Sequence, residues 1–122
     1  MELTVGIKNT EKEVVTAEKT ARHIGSGTAG VYSTPSMIAF MEGVSMHAVA
    51  PCLEENQTTV GTAVNIRHLA STNEGETVWC DAEVIEIDRR RITFSVRVYS
   101  AEGKTIGDGT HDRFVVNTEK FK

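Results

Sequence analysis

Three polar residues of this chain have side chains that can act together on an acyl group: Thr34, Glu42 and His68. A hydroxyl becomes a nucleophile when an imidazole takes its proton, and a carboxylate can orient that imidazole or raise its basicity. Glu42 interrupts an oily run, Ser33 to Leu53, in which Met37, Ile38, Phe40, Met41, Val44, Met46, Val49, Cys52 and Leu53 are apolar. A carboxylate in such company needs a partner, because an unpaired buried charge is costly. His68 closes an alternating stretch in which Val60, Thr62, Val64, Ile66 and His68 share one face, expected to be the inward one, and Gly61, Ala63, Asn65 and Arg67 share the other. The imidazole is therefore expected to answer the acid. Plainer roles stand beside this reading. A Thr before Pro is commonly a helix N-cap, a buried Glu can be a structural acceptor, and a His at a strand end is commonly solvated.

Spacing adds a constraint. Thr34 and Glu42 are eight positions apart, roughly 12 Å along a helix rising about 1.5 Å per residue. If Thr34, Glu42 and His68 serve one site, either the chain leaves helical geometry near Thr34 or two subunits contribute. The second is the expectation, which makes a homodimer part of the site.

The elements that must position these residues follow from periodicity. Thr34-Pro35 is a helix start signal and Pro51 marks its end, so a helix apolar on nearly every side is predicted between them. Leu3, Val5 and Ile7 predict a first strand, with Glu13 to Thr16 as its continuation after a polar break at Asn9 to Lys12. Gly25 to Gly30 reads as a surface loop; a phosphate cradle there lacks the Gly-Lys-Ser/Thr of a P-loop. Gln57 to His68, Thr77 to Ile87, Ile92 to Val98 and Lys104 to Asn117 predict four strands joined by short turns, hence antiparallel neighbours. A phase slip in the second of these predicts a bulge near Val84. A long central helix wrapped by a curved antiparallel sheet of about five strands is an α+β arrangement, the hotdog fold, expected as one domain over residues 1–122. Its exposed edge strands favour pairing with a second copy.

Bulk properties narrow the function. With 122 residues, a net charge of −4 and only one basic run, Arg89-Arg90-Arg91, the chain is not expected to bind nucleic acid. No secretory leader is evident, and Glu42, His47 and Pro51 spoil the oily run as a membrane span, so a cytoplasmic protein is expected. Cys52 and Cys80 read as free thiols. His23, His47, His68 and His111 share no ligand spacing, so neither metal nor cofactor is expected.

The run from Ser33 to Glu42, the Gly-Thr-Ala-Val-Asn-Ile-Arg-His of Gly61 to His68 and the Gly-Thr-His-Asp-Arg of Gly109 to Arg113 resemble the fluoroacetyl-CoA thioesterase family of hotdog thioesterases, from about Val5 to Phe121. The resemblance implies a homodimer that hydrolyses a small acyl-CoA to free acid and CoA, with Thr34, Glu42 and His68 as the catalytic set at the subunit interface. It also implies that the Gly61 backbone N–H helps hold the thioester carbonyl and that Arg113 helps bind CoA. Where the fluoroacetyl-specific enzyme has several Phe before the helix, Gly25 to Ser33 here offers only Tyr32, so the resemblance carries the reaction class without the acyl group. The alternative is a non-catalytic module binding acyl-CoA or another small ligand in the same pocket, since one fold hosts several functions. A dehydratase acting on a 3-hydroxyacyl thioester would be expected to place its acid and base differently.

Overall fold

The computed structural model describes residues 2–121, so the expected domain runs past the described residues at Met1 and Lys122. Five strands form one antiparallel sheet: β1 (Lys8–Val14), β2 (Gln57–His68), β3 (Thr77–Asp88), β4 (Arg91–Tyr99) and β5 (Thr105–Asn117), ordered β1-β3-β4-β5-β2. Two helices precede β2, the short α1 (Ala21–Ile24) and the long α2 (Thr34–Val49). Met37, Phe40, Met41, Val44, Ala48 and Val49 of α2 are buried together with Val78, Cys80, Ala82 and Val84 of β3 and Ile92, Phe94, Val96 and Val98 of β4. This is the hotdog architecture, a helix held in the concave face of a sheet that does not close on itself. The wrapping is less complete than the composition of α2 predicts. Pro35, Ala39 and His47 are exposed, leaving one strip of the helix uncovered.

The first strand lies elsewhere than expected. β1 spans the expected polar break, Asn9 to Lys12, together with Glu13 and Val14 of the expected continuation, and Leu3 to Ile7 is outside it, with a turn at Val5-Gly6. Its half-buried face is Asn9, Glu11 and Glu13, and each of these polar side chains has a partner. Asn9 Nδ2 donates to the Val44 carbonyl of α2 at 3.1 Å and to Glu11 at 2.8 Å, Glu11 pairs with His47 at 2.7 Å, and Glu13 accepts from Lys19 at 2.9 Å. Satisfied polar groups can occupy a core margin that alternation rules reserve for apolar residues.

Besides an irregularity where β4 meets β5 at Val98 and Tyr99, two bulges shape the sheet. One lies between Val84 and Glu86, where the phase slip predicts it. The other, between Gly61 and Ala63, has no counterpart in the sequence reading. Gly61 pairs with Arg113 and Ala63 with Asp112, so Thr62 is the extra residue. A one-residue insertion reverses the face of everything beyond it. Gly61 therefore faces α2 together with His68, whereas regular alternation puts them on opposite faces.

β5 crosses close to β2 at Gly109. There φ is +153°, and a Cβ would fall 2.0 Å from the Asn65 carbonyl oxygen and 2.9 Å from Ile66 Cα, backbone atoms that cannot rotate away. Gly109→Ala is expected to lose about 3 kcal/mol or more, measured by urea denaturation. A loss under about 1 kcal/mol, the centre of the range for ordinary substitutions, would contradict this account of the crossing.

Candidate active site

The start of α2 frees Thr34 for chemistry. Ser33 is the N-cap, its Oγ accepting from the Ser36 N–H at 3.1 Å, so the capping duty expected of Thr34 is already met. Thr34 Oγ1 instead lies 2.7 Å from His68 Nδ1. His68 Nε2 is buried and finds no hydrogen-bond partner among the described residues. Burial lowers the pKa of the imidazole from its usual 6.5, with the Ala70 backbone opposing the shift, so the ring is held in the neutral form that can accept a proton.

Tyr32 fixes the chain beside this pair. Its ring stands edge-on to His68 with centroids 6.4 Å apart, and its buried hydroxyl donates to Glu13 of β1. Burial, with Glu13 beside it, pushes the phenol far above its ordinary value, so Tyr32 is an anchor rather than an acid. Around the Thr34–His68 pair opens a cleft of about 390 Å³, lined among others by Ala21, Ser26, Val31 and Ala70. Gly25, with φ 88°, caps α1. The glycine-rich segment expected here as a loop thus follows one helical turn and forms part of the cleft wall.

Glu42 lies elsewhere in the chain, against Gly61 rather than His68. A Cβ added to Gly61 would fall 2.7 Å from Glu42 Oε2, 3.1 Å from His111 Cε1 and 3.3 Å from Arg113 Nη1, so glycine is required for the helix carboxylate to approach the strand. Arg113 is turned inward and 6 % exposed. Its Nε donates to Thr59 Oγ1 at 2.7 Å, Nη2 to the Thr59 carbonyl at 2.9 Å and Nη1 to His111 Nε2 at 3.1 Å. The expectation that Arg113 helps bind CoA meets a guanidinium bonded on all three nitrogens within the chain. Desolvation lowers its pKa while the Glu42 charge opposes the shift.

The arrangement yields two half-sites, Thr34 with His68 and Glu42 with Gly61, His111 and Arg113. His111 and Thr59 are not among the expected site residues. The legible signal for His111 was its place between Gly109 and Arg113, on the same strand face as both. Both cysteines are free; burial raises the Cys80 thiol to about 12, and Cys52 follows the end of α2 opposite to Thr34. No group of residues able to hold a metal occurs among the described residues, and no helix is long and apolar enough to cross a membrane.

Comparison with known proteins bears on this geometry. A family model described as fluoroacetyl-CoA-specific thioesterase matches residues 15–119. The fluoroacetyl-CoA thioesterase of Streptantibioticus cattleyicolor is 35% identical over 123 residues, covering 96% of this chain and 88% of that protein. Among solved structures, a point mutant of the fluoroacetyl-CoA-specific thioesterase in complex with fluoroacetate and CoA superposes with a TM-score of 0.91 at 34% identity, covering 98% of this chain and 100% of the other. A Thermus thermophilus protein described as a thioesterase superfamily member superposes with a TM-score of 0.89 at 30% identity, over 97% of this chain and 87% of that one.

Proposed function

Because this chain belongs to the fluoroacetyl-CoA-specific thioesterase family, we propose that it hydrolyses a small acyl-CoA to the free acid and CoA, at sites each completed by two copies of the chain. The observation that carries the reading is the 2.7 Å contact of Thr34 Oγ1 with His68 Nδ1 at the mouth of a cleft, with Nε2 of the same ring buried and unpartnered among the described residues. For Nδ1 to receive a proton, the ring must carry its own proton on Nε2. The ring has no carboxylate beside it among the described residues of its own chain, and one nearby would stabilise the imidazolium that forms when Nδ1 takes the proton.

The carboxylate that accompanies this pair is Glu42 of the partner subunit. Gly61, where Glu42 lies, and His68 are seven residues apart on β2, roughly 20 Å at about 3.3 Å per residue, so one chain cannot supply both to one substrate. β2 is an unpaired edge strand whose residues Gly61 to Asn65 are exposed, Val64 among them at 45 %. Antiparallel pairing of two such edges about a two-fold axis beside Val64 sets Gly61 of one copy opposite His68 of the other. The pairing buries the exposed edge and assembles Thr34, His68 and Glu42 at each of two equivalent sites.

In this assembly His68 takes the proton of Thr34, whose oxygen attacks the thioester carbonyl. The C–S bond breaks, the departing CoA sulfur takes that proton from His68, and a water activated by the same base then releases the acid from Thr34. On the direct route His68 takes the proton of the attacking water and returns it to the departing CoA sulfur. Rapid-quench detection of an acyl-enzyme separates the two routes. The Gly61 backbone N–H, at the bulge and beside Glu42, is the donor for the developing oxyanion. A thioester is already an activated acyl donor, so a neutral imidazole is base enough. The test is a panel of short acyl-CoA esters, fluoroacetyl-CoA included, read by release of free thiol. Release with at least one ester is expected; binding of esters without release from any would replace this reading with the binding module.

A further inference from the structure

One buried titratable group has no part in that mechanism. His111 is 1 % exposed and neither solvates nor reacts, yet its ring is bonded at both nitrogens. Nδ1 lies 2.8 Å from the Ala63 carbonyl and Nε2 lies 3.1 Å from Arg113 Nη1. Only one protonation state fits: Nδ1–H donates to the carbonyl and the Nε2 lone pair accepts from the guanidinium, since a proton on Nε2 would oppose an Arg N–H. Phe94 stacks against the ring, with centroids 6.3 Å apart and planes at 26°.

Both bonds lead to the site. Ala63 is the first residue after Thr62, the extra residue of the β2 bulge, so the ring is fastened to the insertion that turns Gly61 toward α2. Arg113 Nη1 and Glu42 Oε2 both border the space where a Gly61 Cβ would lie, at 3.3 and 2.7 Å from it, with Thr59 holding the other guanidinium nitrogens. We propose that His111 is a positioning residue of the thioesterase site, which pins the bulge through the Ala63 carbonyl and holds the Arg113 guanidinium beside Glu42, so that carboxylate and Gly61 N–H face the substrate together. The inference rests on the thioesterase reading above. Without His111 the extra residue can migrate along β2, and migration past Gly61 returns it to the outer face. An Arg113 released from Nε2 likewise no longer fixes the charge beside the carboxylate.

The test compares His111→Phe, which keeps the stacking and loses both hydrogen bonds, with His111→Gln, whose amide can donate to Ala63 and accept from Arg113. With an acyl-CoA that the unaltered protein hydrolyses, His111→Phe is expected to lower kcat by about 10²-fold, the scale of a roughly 1 Å misplacement. KM should stay within about threefold, and His111→Gln should recover most of the loss. In a double-mutant cycle, Arg113→Lys and His111→Phe should be non-additive, because each acts through the other. If His111→Phe keeps full kcat while losing thermal stability, the ring is a core plug and the inference is overturned. A His111→Gln variant that folds yet is as slow as the Phe variant overturns it equally. If the unaltered protein hydrolyses no ester, the thioesterase reading fails and takes this inference with it.

Discussion

His68→Ala is expected to lower thioester hydrolysis by about 10² to 10⁴-fold in kcat, the usual worth of a positioned general base, while binding of CoA stays close to that of the unaltered chain. The imidazole is the group within 2.7 Å of the Thr34 hydroxyl, and alanine leaves nothing in its place to take a proton. The pH dependence has a definite sign. Only the neutral ring can accept at Nδ1, so activity is present above the pKa of His68 and is lost as pH falls through it. Burial lowers that pKa, and on the two-copy site proposed above the carboxylate of Glu42 works against burial. Glu42→Gln should therefore slow the reaction and also move the acid limb of kcat/KM to lower pH. Free-thiol release measured across the acid range checks both. Hydrolysis by His68→Ala at an undiminished rate would remove the imidazole from the mechanism, and an unmoved limb in Glu42→Gln would separate the carboxylate from it.

Mixing two inactive variants is expected to restore activity. Glu42→Ala and His68→Ala each damage both sites of their own homodimer. On the two-copy site proposed above, in which Glu42 comes from one copy and His68 from the other, a mixed dimer has one site carrying both lesions and one carrying none. If subunits exchange freely, about half of the dimers are mixed, and about one quarter of the unaltered activity returns, as two-fold symmetry requires. The experiment needs only the two purified variants, incubated together under conditions of subunit exchange. Continued inactivity of a mixture shown to contain mixed dimers would mean that Glu42 and His68 do not meet across the interface. A monomeric variant with full turnover would say the same.

Much of the fold was legible because it is written in local patterns. The limits of α2 follow from Thr34-Pro35 and Pro51, the four later strands from alternation and turns, and the bulge of β3 from a visible change of phase at Val84. β1 was misplaced because Leu3, Val5 and Ile7 alternate more cleanly than the strand that pairs with β3. The polar residues of that strand are acceptable only because Val44, His47, Tyr32 and Lys19 lie opposite them. The bulge of β2 left no trace, because Val60, Val64 and Ile66 share a parity whether or not Thr62 is inserted between them. In the folded strand Val60 lies across from Phe114 on the outer face, whereas Val64 lies across from buried His111 on the inner one.

The sequence by itself singled out a hydroxyl, an acid and a base as candidates for chemistry, and determined the long helix and most of the strands that carry them. Residue types and periods are properties of short stretches, so they survive without coordinates. Tertiary structure alone decided that Ser33 caps the helix and leaves Thr34 to His68, that Glu42 lies against Gly61 rather than His68 of its own chain, and that Gly61 faces inward at all. Those outcomes depend on one inserted residue in β2 and on where two strands cross the helix. They are long-range facts, which no window of neighbouring residues contains.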